Sequence, residues 1–437
     1  MSHDVRNRLS AIRRAFHRHP EPGWCEFRTT ARIAEEIDGI GVDELVIGRD
    51  ALSSTHRMAV PSTETLARWR DRAVGAGVAQ HVLERTADGH TGVVAAIETG
   101  PGPAVGLRVD MDGVSIEESS AVGHRPADEG FRSEHEGCMH ACGHDAHIAV
   151  ALGVLEAVKD SDFSGRFVVF FQPAEEIAGG GKALAEGGYV DDIDYLFGFH
   201  VGLGRPTGTV VANATRPLAM AHISATFEGA SAHAGKEPSG GTNAMQAMTT
   251  AVQNAYGIAR HSEGMTRVNF GRVEGGSASN VIAEEVTLDG EVRGETTRLM
   301  EYMRTELERV LYAAAELHDC GVVIRRTSES IRVDGDPTLA AAIADVARRL
   351  PSLDTIVPEA SLGVSEDITF LMDRVKQSGG RAGYLIVGTD HPTSHHTPTF
   401  DIDDHSLDIG VELLAEVVSS VAASRPGHLC GRSLPKR

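Results

Sequence analysis

Apolar positions fall in short unbroken runs, and polar chemistry follows each run. Residues 104–109, 166–171, 195–199 and 382–387 are continuous and rich in β-branched or aromatic side chains. That pattern predicts strands buried on both faces. Between them the spacing turns helical, at 148–158, 181–186 and 407–422. The alternation predicts an α/β catalytic domain with a largely parallel sheet flanked by helices. Sites in such sheets form outside the carboxyl ends of the strands. Here those ends run into Asp110-Met111-Asp112, Gln172-Pro173-Ala174-Glu175-Glu176, His200, and Gly388-Thr389-Asp390-His391 followed by His395-His396.

A region of different character interrupts this order. It predicts strands at 221–227, 267–273, 286–293 and 321–326 with helices at 243–260 and 297–317. The order β-α-β-β-α-β is the ferredoxin-like split arrangement. We therefore read 218–328 as an inserted α+β domain, with 1–217 and 329–437 forming one discontinuous catalytic domain. Upstream, helices are predicted at 6–20, 29–37 and 63–76 and a strand at 91–98, while 44–90 is otherwise less informative. His17 and His19 sit in a turn-rich connection, and bracing that turn is the favoured role over metal ligation. The stretch after Arg425 reads as a loose polar tail.

The densest chemistry is Met139-His140-Ala141-Cys142-Gly143-His144-Asp145-Ala146-His147. Gly143 allows a tight turn into a buried helix. A thiol at a helix N-terminus is favoured as thiolate, and thiolate beside imidazole suits a borderline-soft divalent metal. Five cysteines without framework spacing point to a reducing compartment, and the charged N-terminus lacks the apolar core of a signal peptide, so a cytoplasmic location is expected. A formal charge of −21 disfavours nucleic acid and anionic membrane as partners. Lysine occurs only at 159, 182, 236, 376 and 436; a high-salt cytoplasm and an acidic enzyme of a GC-rich genome account for this equally well.

Cys142, His144, one of Glu175 and Glu176, His200 and His396 suffice for two divalent ions with one shared ligand. The neighbouring glutamate is then free to act as general base. Asp112 is placed either to orient a ligating imidazole or to cap its loop.

With LRVDMDGV (107–114), MHACGHDAH (139–147), FQPAEE (171–176), GFHVGLGRPTG (198–208), GASAHAG (229–235), GGSASNVIAEE (275–285), GVSEDITF (363–370) and HHTPTFDID (395–403), the chain resembles the peptidase M20 metalloamidase family over nearly its whole length. The nearest branch is the one containing aminoacylase-like amidohydrolases, auxin-conjugate hydrolases and the A subunit of aminobenzoyl-glutamate hydrolase, which HRHPEPGWCEFRTT (17–30) and DDIDYLFGFHVGLG (191–204) most resemble. The resemblance implies a zinc-peptidase-like catalytic domain with an inserted dimerisation or lid domain, and two Mn²⁺ or Zn²⁺ ions in each copy of the chain. Cys142 takes the place of the bridging ligand, and His144, Glu176, His200 and His396 match the others. Glu175 matches the general base and Asp112 the carboxylate that orients a ligand. His233 matches a histidine that reaches into the site of a neighbouring copy, and Asn280 and Arg293 match groups holding the substrate carboxylate. A homodimer through the inserted domain follows, and this branch also permits an unlike family member as a further partner. The implied reaction is cleavage of an N-acyl or N-aroyl amino acid, p-aminobenzoyl-glutamate foremost. A broader acyl-amino-acid amidohydrolase or dipeptidase, and a non-catalytic relative, are the alternatives. Ala283 and Asp404 depart from the usual pattern without touching an implied ligand, and Ile177 follows FQPAEE where the family usually has Gly, a change to the wall of the pocket.

Overall fold

The computed structural model describes residues 3–423. The polar tail expected after Arg425 lies outside them. The described chain forms two compact units. One runs to Thr215 and takes up Val333–Leu362 and the chain from Asp367; the other is Arg216–Arg332 with Gly363–Glu366.

The first unit is built on eight strands. In spatial order they are Glu44–Ile47, Val93–Glu98, Arg166–Gln172, Ala104–Asp110, Tyr195–Val201, Arg381–Val387, Thr209–Val211 and Thr355–Val357. The four central strands, which are the four continuous apolar runs, pair parallel. The sheet is mixed, because Val93–Glu98 pairs antiparallel with both its neighbours and Thr209–Val211 does so with Arg381–Val387. Strand side chains alternate between two buried layers. Phe167, Val169 and Phe171 join the helices His3–His17, Phe27–Ile40, His144–Lys159 and His405–Ala423 on one face. Val168 and Phe170 join Trp24, Trp69 and the Thr369–Gln377 helix on the other. This two-sided burial is why these strands read as unbroken apolar runs.

The His144–Lys159 helix is the spine of one layer and is buried from His144 to Leu155. Gly143 enters it at φ 90°, and a Cβ there would meet Val201 Cγ2 at 2.5 Å, so only glycine fits. The first helix stops at His17, short of the expected residue 20. His19 precedes Pro20, which drives the residue before it out of helical conformation.

The second unit holds a four-stranded antiparallel sheet in the order Gly321–Ser330, Ala219–Glu228, Glu285–Gly294, Thr266–Gly275. Helices Ala244–Tyr256 and Thr297–Leu317 pack against it through Ala247, Ala251 and Ala255 and through Met300, Met303, Leu307 and Leu311. Asn243 caps the first of these with its side chain on Met245 N, 3.0 Å. Among the described residues, no helix is long and apolar enough to cross a membrane.

Candidate metal centre

The parallel strands end in register. Val109 and Asp110 lie beside Phe171 and Gln172, and His200 and Val201 lie beside Ile386 and Val387. Ala104–Asp110 is flanked on opposite sides by Arg166–Gln172 and Tyr195–Val201, so the chain changes direction across it. At such a switch point the connecting loops part and leave a crevice. The N-terminus of the His144–Lys159 helix, the Glu175-Glu176 turn and the 395–396 loop all come to this crevice.

Each side chain is held from its far side. His144 Nδ1 donates to the carbonyl of Asp112 at 2.9 Å, which aims Nε2 inward. His200 Nδ1 donates to the carbonyl of Val201 at 2.7 Å, and its Nε2 lies 3.4 Å from the Cys142 sulfur. The Asp112 carboxylate accepts the backbone N–H of Glu175 and of Glu176, at 3.1 and 3.0 Å. It also lies 3.4 Å from His144 Nδ1, so it braces both the imidazole and the turn after the strand. Glu176 places Oε1 3.7 Å from His144 Nε2 and Oε2 3.2 Å from His396 Nε2. His396 is exposed and adopts φ 60°, and Ala174, just before Glu175, adopts φ 56°. Two non-glycine residues in the left-handed region, one a candidate ligand and one just before the Glu175-Glu176 pair, are the kind of local strain that clusters at functional sites.

The ligand atoms fall into overlapping sets, each within 4.8 Å: Cys142, His144 and His200; Cys142, Glu176 and His396; His144, Glu175 and Glu176. Cys142 belongs to the first two. His144 Nε2 and Glu176 Oε1 are buried and make no hydrogen bond. Burying such groups without a hydrogen bond is costly, and a cation between them removes the cost. Soft and borderline donors with carboxylates fit Zn²⁺ or Mn²⁺.

Charge in the crevice is finely divided. Burial would lower His144, but Asp110, Asp112 and Glu176 outweigh it and hold the imidazole up at about 10. Burial pushes His200 well down, and His147 and His395 add to it. Burial would raise Glu176, yet the His396 hydrogen bond and His144 bring it below the usual carboxylate range.

Three of the expected residues lie in the other unit. His233 forms an isolated antiparallel bridge with Val281, and Ala234 N donates to Asn280 O at 3.0 Å, so the His233 and Asn280 loops run side by side. Both residues are exposed. Arg293, on Glu285–Gly294, grips Glu291 through Nε and Nη2 at 2.8 and 2.9 Å and reaches Ser365 Oγ at 3.3 Å.

The buried scaffold beneath the crevice is not anticipated by the sequence pattern. His147 Nδ1 donates to Asp110 at 2.5 Å, and its Nε2 accepts from Val201 N at 3.0 Å. Arg108 bonds Asp110, Gln172 and Asp367 at 2.7, 2.9 and 3.1 Å. His147, three residues past His144 on one helix, was legible as a neighbour; Asp367 falls in the GVSEDITF motif (363–370), but nothing local marks it as a partner of Arg108.

Thiol, imidazole and carboxylate donors converge at a strand switch point and could hold a metal ion, as in a metal-dependent hydrolase. The chain belongs to peptidase family M20/M25/M40, whose model matches residues 106–420. It is 38% identical over 413 residues to the A chain of p-aminobenzoyl-glutamate hydrolase of Escherichia coli (strain K12), covering 93% of this chain and 94% of that one. It is also 38% identical to indole-3-acetyl-aspartic acid hydrolase of Enterobacter agglomerans, over 93% and 94% of the two chains. The crystal structure of an aminobenzoyl-glutamate utilization protein from Klebsiella pneumoniae superposes with TM-score 0.81 at 32% identity, over 95% of this chain and 96% of that one.

Proposed function

We propose that the protein hydrolyses the amide of an N-aroyl or N-acyl amino acid, with p-aminobenzoyl-glutamate as the favoured substrate. The observation that carries the hydrolytic reading is the pair of buried atoms that make no hydrogen bond, His144 Nε2 and Glu176 Oε1, 3.7 Å apart beside Cys142 and His200. Cys142 would be shared between two ions, with His144, Glu176, His200 and His396 completing the set. Two divalent ions held there supply Lewis-acid polarisation of a carbonyl and acidification of water.

This chain's own residues do the rest. Glu175 takes a proton from the attacking water and delivers it to the leaving amine nitrogen. Asp112 keeps Glu175 and Glu176 in place through their backbone N–H groups. His233 of a second copy donates to the oxyanion that develops on the carbonyl. Asn280 and Arg293 hold the free carboxylate of the amino acid, for which the planar guanidinium is suited. The active unit is then a homodimer formed through the Arg216–Arg332 unit. The two 38%-identical relatives are named for amides of glutamate and of aspartate, which supports an acidic amino-acid half and leaves the acyl half to experiment.

The test is hydrolysis of p-aminobenzoyl-glutamate, indole-3-acetyl-aspartate and a panel of N-acetyl amino acids, with Mn²⁺ or Zn²⁺, at low and molar salt. Preference for the aroyl-glutamate by tenfold or more in kcat/KM, about 1.4 kcal/mol, is expected. Even cleavage across the panel would replace it with a broad acyl-amino-acid amidohydrolase.

A further inference from the structure

The N-terminal helix His3–His17 precedes the stretch matched by the family model, yet it carries a fully buried guanidinium. Arg13 Nε bonds Asp145 at 3.0 Å, Nη1 bonds Asp404 at 2.8 Å and Nη2 bonds Asp401 at 2.6 Å. These three carboxylates come from two places in the chain. Asp145 adjoins His144 on the His144–Lys159 helix. Asp401 and Asp404 close the loop that holds His396. That loop also touches the Cys142 turn, because His396 N donates to Ala141 O at 2.8 Å.

We propose that Arg13 is a positioning residue: it straps the helix bearing His144 to the loop bearing His396 and so sets the spacing of the two ligand groups. The inference rests on those two histidines being ligands. Arginine alone offers three nitrogens in one rigid plane for three carboxylates; lysine offers a single point charge. A buried ion pair contributes little net stability once desolvation is counted, so its value here is geometric. The strap is itself held. Arg125 Nη2 bonds Asp401 at 3.1 Å and the carbonyl of Ile402 at 2.7 Å. His17, one turn on from Arg13, lies between Asp145 and Glu118, at 2.8 and 3.0 Å. His396 needs such support, since it is exposed and strained in φ, and it meets the crevice through Glu176 and Ala141.

The experiment is calorimetric titration of metal-free, full-length protein with Mn²⁺, alongside its melting temperature. Wild type is expected to show two equilibria, and His396→Ala to lose the weaker. Arg13→Gln and Asp401→Asn should weaken that equilibrium by about tenfold or more, the usual effect of removing a group that orients a metal ligand. Arg13→Lys should recover part of it. Val417→Ala, a buried change in the last helix, lowers the melting temperature and should leave both affinities alone. Wild-type affinity in folded Arg13→Gln or Asp401→Asn overturns the strap, as does an equal loss in Val417→Ala. Should Arg13→Gln fail to fold, Asp401→Asn decides. Binding unaffected by His396→Ala overturns the ligand reading, and the strap with it.

Discussion

In the eight-stranded unit, His144 and His200 are 1% and 2% exposed, and each is pinned by its second ring nitrogen to a backbone carbonyl. In the four-stranded unit, His233 and Asn280 stand exposed on adjacent loops. His233 Nδ1 takes only the local N–H of Gly235, at 3.1 Å. The first arrangement suits groups that must hold a cation in fixed geometry, since a small misplacement there costs much affinity. The second suits groups that meet a ligand only when it arrives. Arg293 lies between these extremes, half-buried and already forked onto Glu291, whose carboxyl is held down at about 2 by His222 and Arg293. Preorganisation therefore belongs to the unit with the candidate metal centre, and adaptability to the loops of the other.

The largest effect should come from the base. Glu175→Gln removes the proton acceptor and keeps the size and backbone of the turn. Turnover is expected to fall by about 10²–10⁴-fold, while bound metal, counted by elemental analysis, stays at the wild-type ratio. Metal lost together with activity would make Glu175 a ligand and not a base.

His233→Ala tests the exposed side of the comparison. It should lower kcat by about 10²-fold, the size of one lost oxyanion donor, with metal affinity unchanged. Mixing the inactive His233→Ala and Glu175→Gln chains should restore activity, because a mixed dimer holds one site with both groups intact. If the mixture stays as inactive as its parts, His233 does not act across the dimer. If His233→Ala is fully active, the exposed loop has no part in the chemistry.

Legibility in the sequence followed the same division. The four central strands, the Gly143 turn and the split β-α-β-β-α-β order were readable because local periodicity and glycine placement carry them. Cys142, His144, Glu176, His200 and His396 could be gathered because each sits at or just beyond a strand end or a helix start. The short strands Thr209–Val211 and Thr355–Val357 were not readable, being three residues long with no period to detect. The Pro337–Ala347 helix was overlooked although its signal is present: Asp336 caps Thr338 N at 2.8 Å and Pro337 takes the first turn. Arg108, Asp110, Gln172 and Asp367 form a network spanning more than half the chain; the motifs mark the stretches they lie in, but no local pattern announces that they bond to one another.

The buried side of the comparison also carries a pH signature, smaller than the losses above. Two acids face His17: Asp145 on one ring nitrogen and Glu118 on the other, with His124 sharing Glu118 at 2.8 Å. Burial alone would lower His17, but the Asp145 and Glu118 contacts outweigh it and raise the imidazole to about 9. A folded value above the unfolded one near 6.5 means that the native state holds the extra proton. Its contribution is complete below about pH 6.5 and is lost as pH rises through 9, at no more than about 1.4 kcal/mol per pH unit. Urea unfolding of metal-free protein at several pH values, compared with His17→Gln, isolates it: the stability gap between the two should narrow from pH 6.5 to pH 9. A gap that is constant across that range would show His17 to be neutral in the folded protein, a hydrogen-bonding brace and not a buried cation.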